Sequence, residues 1–277
     1  GAINLYLKCL AHPELRDACA LALAAERVPP GTVVESTDLS RRVLCATISS
    51  RAGVLHGHTF DSVYVDEAAQ CMEALVWTLL RPEVSRLVLA GDVLQLPALT
   101  SESGRALRHD RSLMERLTES LRYPNVTRLH VQNRMAPEIM ALPNALFYDG
   151  ALVCGPHAPA RGSVVFHVVE GDEETVGTSM ANRVEAEACA SLAREEAEGG
   201  DVVLLCGYAA QSQALLAHGT GVPVHTVDSF QGHEARVVVL SLTRSGHADG
   251  FWSDPRRLTV ALTRARNGLF IFGNAGL

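Results

Sequence analysis

Seven short apolar runs recur along the chain: Val43–Thr47, Ser62–Val65, Arg86–Ala90, Ser163–Val169, Asp201–Leu205, Val237–Leu242 and Leu269–Phe272. They are rich in valine and leucine and lack strict alternation, which suits strands buried on both faces of a sheet. Between them lie stretches with helical spacing. In Arg183–Glu198 the apolar residues Val184, Ala188 and Leu192 fall four apart, with glutamates and arginines on the other face. Leu5–Glu26 and Leu113–Leu121 read the same way. Strands alternating with helices predict parallel sheets covered by helices, an α/β fold. Turn signals at Pro29-Pro30-Gly31, Ser36–Ser40, Tyr123-Pro124-Asn125 and Gly155–Gly162 divide the pattern. The middle one places a boundary near residues 122–126, between halves 1–122 and 123–277.

Composition narrows the class. With 47% hydrophobic and 20% charged residues the chain can bury a substantial core. No apolar run reaches the roughly 18 residues of a membrane span, and no signal-peptide pattern opens the sequence. The expectation is a soluble intracellular protein (cytoplasmic or nuclear) with no membrane partner. The seven cysteines are scattered at 9, 19, 45, 71, 154, 189 and 206. Without a C-x-x-C pair they read as reduced thiols. His56 and His58 read as loop residues, since no ligand set completes around them. A net charge of −7 disfavours a nucleic-acid binder on its face, although a basic groove can act within an acidic whole. Lys8 is the only lysine among 24 basic residues, so arginine carries nearly all the positive charge.

Two strand ends carry candidate chemistry. The run Phe60–Val65 ends in Asp66-Glu67-Ala68-Ala69-Gln70, which places two adjacent carboxylates at the carboxyl edge of a sheet, where α/β folds bind ligands. Such a pair can hold Mg²⁺ and orient an attacking water, yet alone it also arises by chance. The run Leu87–Ala90 then ends in Gly91-Asp92-Val93-Leu94-Gln95-Leu96-Pro97. Gly91 frees the backbone to turn, and Gln95 can reach a phosphate or a water from the adjacent strand.

Taken together, D-E-A-A-Q and G-D-x-x-Q-L-P resemble motifs II and III of superfamily 1 helicases, in the 5′-to-3′ branch that holds the nonsense-mediated-decay helicase. Further blocks follow in family order. Ala46-Thr47-Ile48-Ser49-Ser50 resembles motif Ic. Gln132-Asn133-Arg134-Met135, continuing to Pro143–Gly150, resembles the block opening the second domain. Gly207-Tyr208-Ala209-Ala210-Gln211 is similar to a P-Y-x-x-Q block, with glycine for proline. Thr226–Glu234 is similar to motif V and Arg256–Arg266 to motif VI. The resemblance implies two RecA-like domains, the first incomplete, forming a P-loop NTPase that couples hydrolysis of ATP or another NTP to movement on single-stranded DNA or RNA.

Roles follow residue by residue from that resemblance. Asp66 is the expected Mg²⁺ ligand, Glu67 the residue orienting water, and Gln95 the γ-phosphate sensor. Arg134 and Arg264 are the expected charge-stabilising pair, since a planar guanidinium holds two oxygens and keeps its charge. Gln132, Gly232 and Glu234 are expected at the nucleotide. Thr47, Ser49, Ser50, Thr226 and Ser229 are expected on the nucleic-acid backbone, because hydroxyls bind phosphates without reading bases; capping of turns is their other reading. Arg257 and Arg266 are expected to be structural.

Two departures stand out. No G-x-x-x-x-G-K-[ST] occurs in the 277 residues, so the loop that cradles phosphates is expected outside this chain, which alone would then be inactive. Asn133 stands where relatives often carry a tyrosine able to stack on adenine, which implies relaxed NTP selectivity. Two rival readings remain open: a non-catalytic helicase-like scaffold, and a two-metal nuclease built on Asp66 and Glu67.

Overall fold

The computed structural model describes residues 11–16, 18–21, 37–49, 55–120, 125–246 and 250–275. Two compact units make up the chain: Gly1–Val93 with Pro97–Tyr123, and Pro124–Leu277 with Leu94–Leu96.

In the first unit β1 (Cys19–Leu21) pairs in parallel with β2 (Val43–Cys45), and β3 (Ser62–Val65) in parallel with β4 (Arg86–Leu89). Short helices follow at Glu73–Trp77, Glu102–Ala106 and Leu113–Thr118. The last two begin at serines whose hydroxyls accept the N–H three residues on, Ser101 from Gly104 at 3.1 Å and Ser112 from Glu115 at 3.0 Å. Each such cap stabilises its helix by about 1 kcal/mol. The helix expected over Leu5–Glu26 needs correction. Its described residues form one turn, Pro13–Arg16, and then strand β1, in which Cys19 and Ala20 are fully buried. An alanine- and leucine-rich run carries no periodicity that separates a buried strand from a helix. Residues 1–10, and with them Lys8 and Cys9, lie outside the described residues, as does Ser50.

The second unit opens with β5 (Val131–Gln132) paired in parallel to β6 (Val153–Cys154). Its body is a five-stranded parallel sheet. The strands are β7 (Ser163–Val168), then, after a small hairpin of β8 (Glu174–Val176) and β9 (Ser179–Ala181), β10 (Val202–Cys206), β11 (Val224–Thr226), β12 (Ala235–Ser241) and β13 (Ala265–Gly273). Their spatial order is β11-β10-β12-β13-β7. Alternate residues of the central strands feed two separate cores. Val203, Leu205, Val238, Leu240, Leu269 and Ile271 pack with Ile139 and Val260 of the helices Pro137–Phe147 and Pro255–Leu262. Val202, Leu204, Cys206, Val237, Val239 and Phe272 pack with Ala186, Cys189 and Leu215 of Arg183–Ala197 and Ala209–Ala217. Both faces are thus covered, which explains why β10 is buried at every position. Edge strand β7 is different, with Phe166 and Val168 largely exposed.

The α/β class with parallel sheets and covering helices is therefore the observed one. The helix expected over Arg183–Glu198 spans Arg183–Ala197, started by Asn182, whose side chain accepts the N–H of Glu185 at 3.0 Å. No helix among the described residues is long and apolar enough to cross a membrane. The six described cysteines are all free of disulfides.

Candidate nucleotide and nucleic-acid site

Strand β3 delivers Asp66 and Glu67 to the carboxyl end of the β3–β4 pair, where both are exposed. Glu67 sits in the left-handed region, φ 53° and ψ 40°, rare for a residue with a Cβ. Three contacts hold it there. Its N–H donates to Asp66 Oδ1 at 3.1 Å, its Oε2 accepts from Gln70 Nε2 at 2.9 Å, and the next amide, Ala68 N, donates to Ala90 O at 2.8 Å. Gly91 makes that crossing possible: a Cβ there would lie 3.0 Å from Ala68 N and 3.1 Å from Ala69 N. The glycine of the second block thus seats the carboxylates of the first. On the same unit, Thr47 and Ser49 share a hydroxyl–hydroxyl hydrogen bond of 3.0 Å.

The second unit gathers most of the remaining candidates. Arg264 is almost wholly buried (1% exposed). Its guanidinium donates to Val260 O at 3.0 Å, His233 O at 3.3 Å and Thr263 Oγ1 at 2.6 Å, and reaches Gln95 Oε1 at 3.4 Å. Gln95 belongs to this unit with Leu94 and Leu96, the last of which packs into its core. Arg134 donates from Nε to Glu234 Oε2 at 2.7 Å and from Nη1 to Thr263 O at 3.3 Å. Arg264, Arg134, Gln95, Glu234 and Thr263 therefore form one connected polar set. Gly232, two residues before Glu234, takes a positive φ of 80°, which suits a residue without a Cβ.

Other candidates make local contacts. The Gln132 amide accepts the N–H groups of Arg134 and Met135 at 2.9 and 2.8 Å and donates to Met135 O at 2.8 Å, so it shapes the turn that presents Arg134. Thr226 and Ser229 bond to each other, Oγ1 to Oγ at 3.1 Å, and Ser229 Oγ donates to Thr226 O at 2.9 Å, a turn-capping arrangement. Asn133 Oδ1 accepts the N–H of His157 at 3.2 Å. The two arginines read as structural are engaged, Arg266 with Asp201 at 2.9 Å and Arg257 with Asp228 at 3.4 Å. Arg257 also lies 4.2 Å over the Phe251 ring. Phe251 explains the glycine at 207, where a Cβ would come within 2.6 Å of that ring.

Sequence reasoning missed three supports: the Arg134–Glu234 pair, the carbonyls of His233 and Val260 that hold Arg264, and the buried network around Glu185. Glu234 for Arg134 and His233 O for Arg264 come from segments far apart in the chain, which no local pattern encodes, whereas Val260 O lies four residues before Arg264. In the third, Glu185 Oε1 accepts from Ser241 Oγ at 2.5 Å and Thr243 N at 2.8 Å, while Gln211 Nε2 donates to Ser241 Oγ at 2.8 Å. Burial pushes the Glu185 carboxyl up to about 7, against the lowering effect of its donors. Gln211, read within a motif block, is thereby a fully buried structural residue.

Two family profiles, both described as "AAA domain", match residues 32–102 and 109–276. Among curated proteins, Helicase sen1 of Schizosaccharomyces pombe is 32% identical over 266 residues, covering 84% of this chain and 16% of that protein. The Regulator of nonsense transcripts 1 homolog of Drosophila melanogaster is 30% identical over 281 residues (90% and 23%). The ATP-dependent helicase NAM7 of Saccharomyces cerevisiae is 32% identical over 265 residues (84% and 27%). The chain thus spans about a quarter or less of the length of these relatives. A solved arterivirus nonstructural protein 10, a helicase, shares the fold at TM-score 0.56 and 20% identity, over 97% of this chain and 50% of that one. With the ordered blocks, these matches place the family: the chain belongs to the AAA-domain family, among the superfamily 1 helicases of the branch that holds the regulators of nonsense transcripts.

Proposed function

We propose that this chain supplies the catalytic arginines and acidic residues of an NTP-dependent motor that unwinds nucleic acid, moving 5′ to 3′ on a single strand. One observation carries the reading. Arg264 is buried, fixed by backbone carbonyls, and aimed at Gln95. A cation held in place before the reaction stabilises charge developing on a transferring phosphoryl group without costly reorganisation. In this reading Arg264 and Arg134 face the phosphoryl oxygens. Gln95 relays their state, Gly232 and Glu234 meet the ribose side of the nucleotide, and Gln132 orients Arg134.

Mg²⁺ fits the acidic end of β3. The described residues contain no group of three or more metal-ligating side chains, and Mg²⁺ characteristically takes one or two carboxylates, with nucleotide phosphates and waters as its other ligands. Asp66 would hold it, and Glu67, locked by Gln70, would accept a proton from the attacking water. The hydroxyls of Thr47, Ser49, Ser50, Thr226 and Ser229 would track the strand backbone of either DNA or RNA. Thiols without crosslinks suit a reducing compartment.

The decisive experiment uses the full-length protein. Arg264→Ala is expected to lower NTP turnover by about 10³-fold, the scale of losing a charge-stabilising arginine, while leaving oligonucleotide binding within a factor of two or three of the parent. Near-normal turnover in that variant would refute the assignment. Strand binding without any turnover in the parent protein would favour the scaffold reading instead.

A further inference from the structure

The first unit contains a cavity of about 290 Å³ that none of these roles uses. It is lined by Met72, Glu73 and Ala74 and by four basic side chains, Arg108, His109, Arg111 and Arg116. Two of the guanidiniums are anchored. Arg116 grips Glu73 as a fork, Nε to Oε2 at 2.7 Å and Nη2 to Oε1 at 2.8 Å, which holds the Glu73 carboxyl below its usual range. Arg111 ion-pairs through Nη2 with Glu119, yet its Nε is buried with no hydrogen-bond partner. The side chains of Arg108 and His109 make no hydrogen bond or ion pair among the described residues. Three guanidiniums against the carboxylates of Glu73 and Glu119 leave the positive charge of Arg108 unpaired. That local sign opposes the −7 of the whole chain.

Arg108 is also placed at a cost. It has φ 59° at the end of the helix Glu102–Ala106, where its N–H donates to Arg105 O at 2.8 Å and the N–H of His109 donates to Gly104 O at 2.9 Å. This is the helix-ending arrangement that glycine ordinarily supplies. An L-residue there loses about 1 kcal/mol, so a long cationic side chain at this spot is unexplained by the backbone.

We propose that the cavity is a phosphate-binding site, in which the unpartnered side chains of Arg108 and His109 receive a tetrahedral oxyanion beside the fixed Arg111–Glu119 and Glu73–Arg116 pairs. Unpartnered cationic donors at the wall of a concavity bind such an anion with charge-assisted hydrogen bonds. The phosphate can come from the backbone of a nucleic-acid strand or from a free phosphate. Only the first source rests on the motor reading.

Arginine modification by phenylglyoxal, mapped by mass spectrometry on the full-length protein, tests the site directly. Inorganic phosphate is expected to protect Arg108 severalfold relative to chloride at equal ionic strength, with exposed Arg86 unprotected as the internal reference. A single-stranded oligonucleotide that protects Arg108 as well identifies a strand phosphate. In that case Arg108→Gln should weaken oligonucleotide binding about three- to tenfold and lower the slope of log affinity against log salt by about 0.7. Protection by inorganic phosphate alone identifies the free anion. Equal protection by chloride, or none by either probe, overturns the site. Loss of NTP turnover with the protection intact would sink the motor reading and leave this one standing.

Discussion

Glu67 and Gly91 show how single residues set the acidic end of the first unit. Glu67 is strained at φ 53°, and only a structure that over-determines it keeps it there. The restraint runs through Ala68 N to Ala90 O, across the space a Gly91 side chain would fill. The neighbours of that space are backbone amides, which cannot rotate aside. Gly91→Ala should therefore destabilise the fold by about 1–3 kcal/mol and depress NTP turnover further than the stability loss explains, because Glu67 shifts. Thermal melting and steady-state turnover on the same preparation check this; an unchanged melting temperature would show that the crossing tolerates a methyl group. At Asn133 the side chain is occupied by the N–H of His157 and offers no aromatic face. Comparable turnover of ATP, GTP and CTP is the expected result, and a strict ATP preference would remove the argument.

At the scale of elements, the helix Arg183–Ala197 is tied to the end of β12 through one carboxylate, and Gln211 of Ala209–Ala217 joins the same network through Ser241. Glu185 is fully buried, its Oε2 has no partner, and Thr243 beside it takes φ 72° while donating its N–H to Oε1. The groups facing it are Ser241 at the end of β12, Thr243 just beyond it, Cys189 one turn along its own helix, and Cys206 on β10. Burial also pushes the Cys206 thiol up to about 12 and raises Cys189, so both stay neutral and Glu185 is the group that titrates. Its folded value, about 7, lies above the ordinary 4.5. The folded state therefore holds the proton more tightly. The stability this confers is full below pH 4.5 and is lost as pH rises from there through 7. Chemical denaturation of the parent should show falling stability between pH 5 and pH 8, and Glu185→Gln should flatten that decline. A decline unchanged in the variant would assign it to other groups.

The same helix shows what was legible in the sequence. Its apolar four-residue spacing, alternating with the short non-alternating apolar runs of β3, β4, β7, β10 and β12, made the parallel α/β architecture readable directly. The helices Pro137–Phe147 and Ala209–Ala217 carry no such signal, because one has Pro143 inside it and the polar residues of the other, Gln211, Ser212 and Gln213, are consecutive rather than on one face. The site was legible as motif blocks, each attached to a strand end. The partners that hold those blocks, such as His233 O for Arg264 and Glu234 for Arg134, were invisible because they come from segments 31 and 100 residues away.

For the molecule as a whole, the charge distribution constrains how any strand is held. The chain carries −7 and its cations are nearly all arginines. Many of those arginines are already matched: Arg134 with Glu234, Arg244 with Glu173, Arg266 with Asp201, Arg257 with Asp228 and Arg236 with Glu196. A matched guanidinium displaces few counterions when a phosphate arrives, since its own carboxylate already screens it. The candidate strand contacts are neutral hydroxyls, which displace none. Binding should therefore depend on salt only weakly. Each phosphate neutralised on a single strand contributes about −0.7 to the log–log slope, and a handful of contacts such as Arg108 would give roughly −2. Affinity for a short oligonucleotide between 50 and 300 mM salt, measured on several unrelated sequences, tests both halves of this argument. Similar affinities with a shallow slope are expected; a slope near −6 would mean that the strand is held by a cationic surface, and that the hydroxyl track is not what grips it.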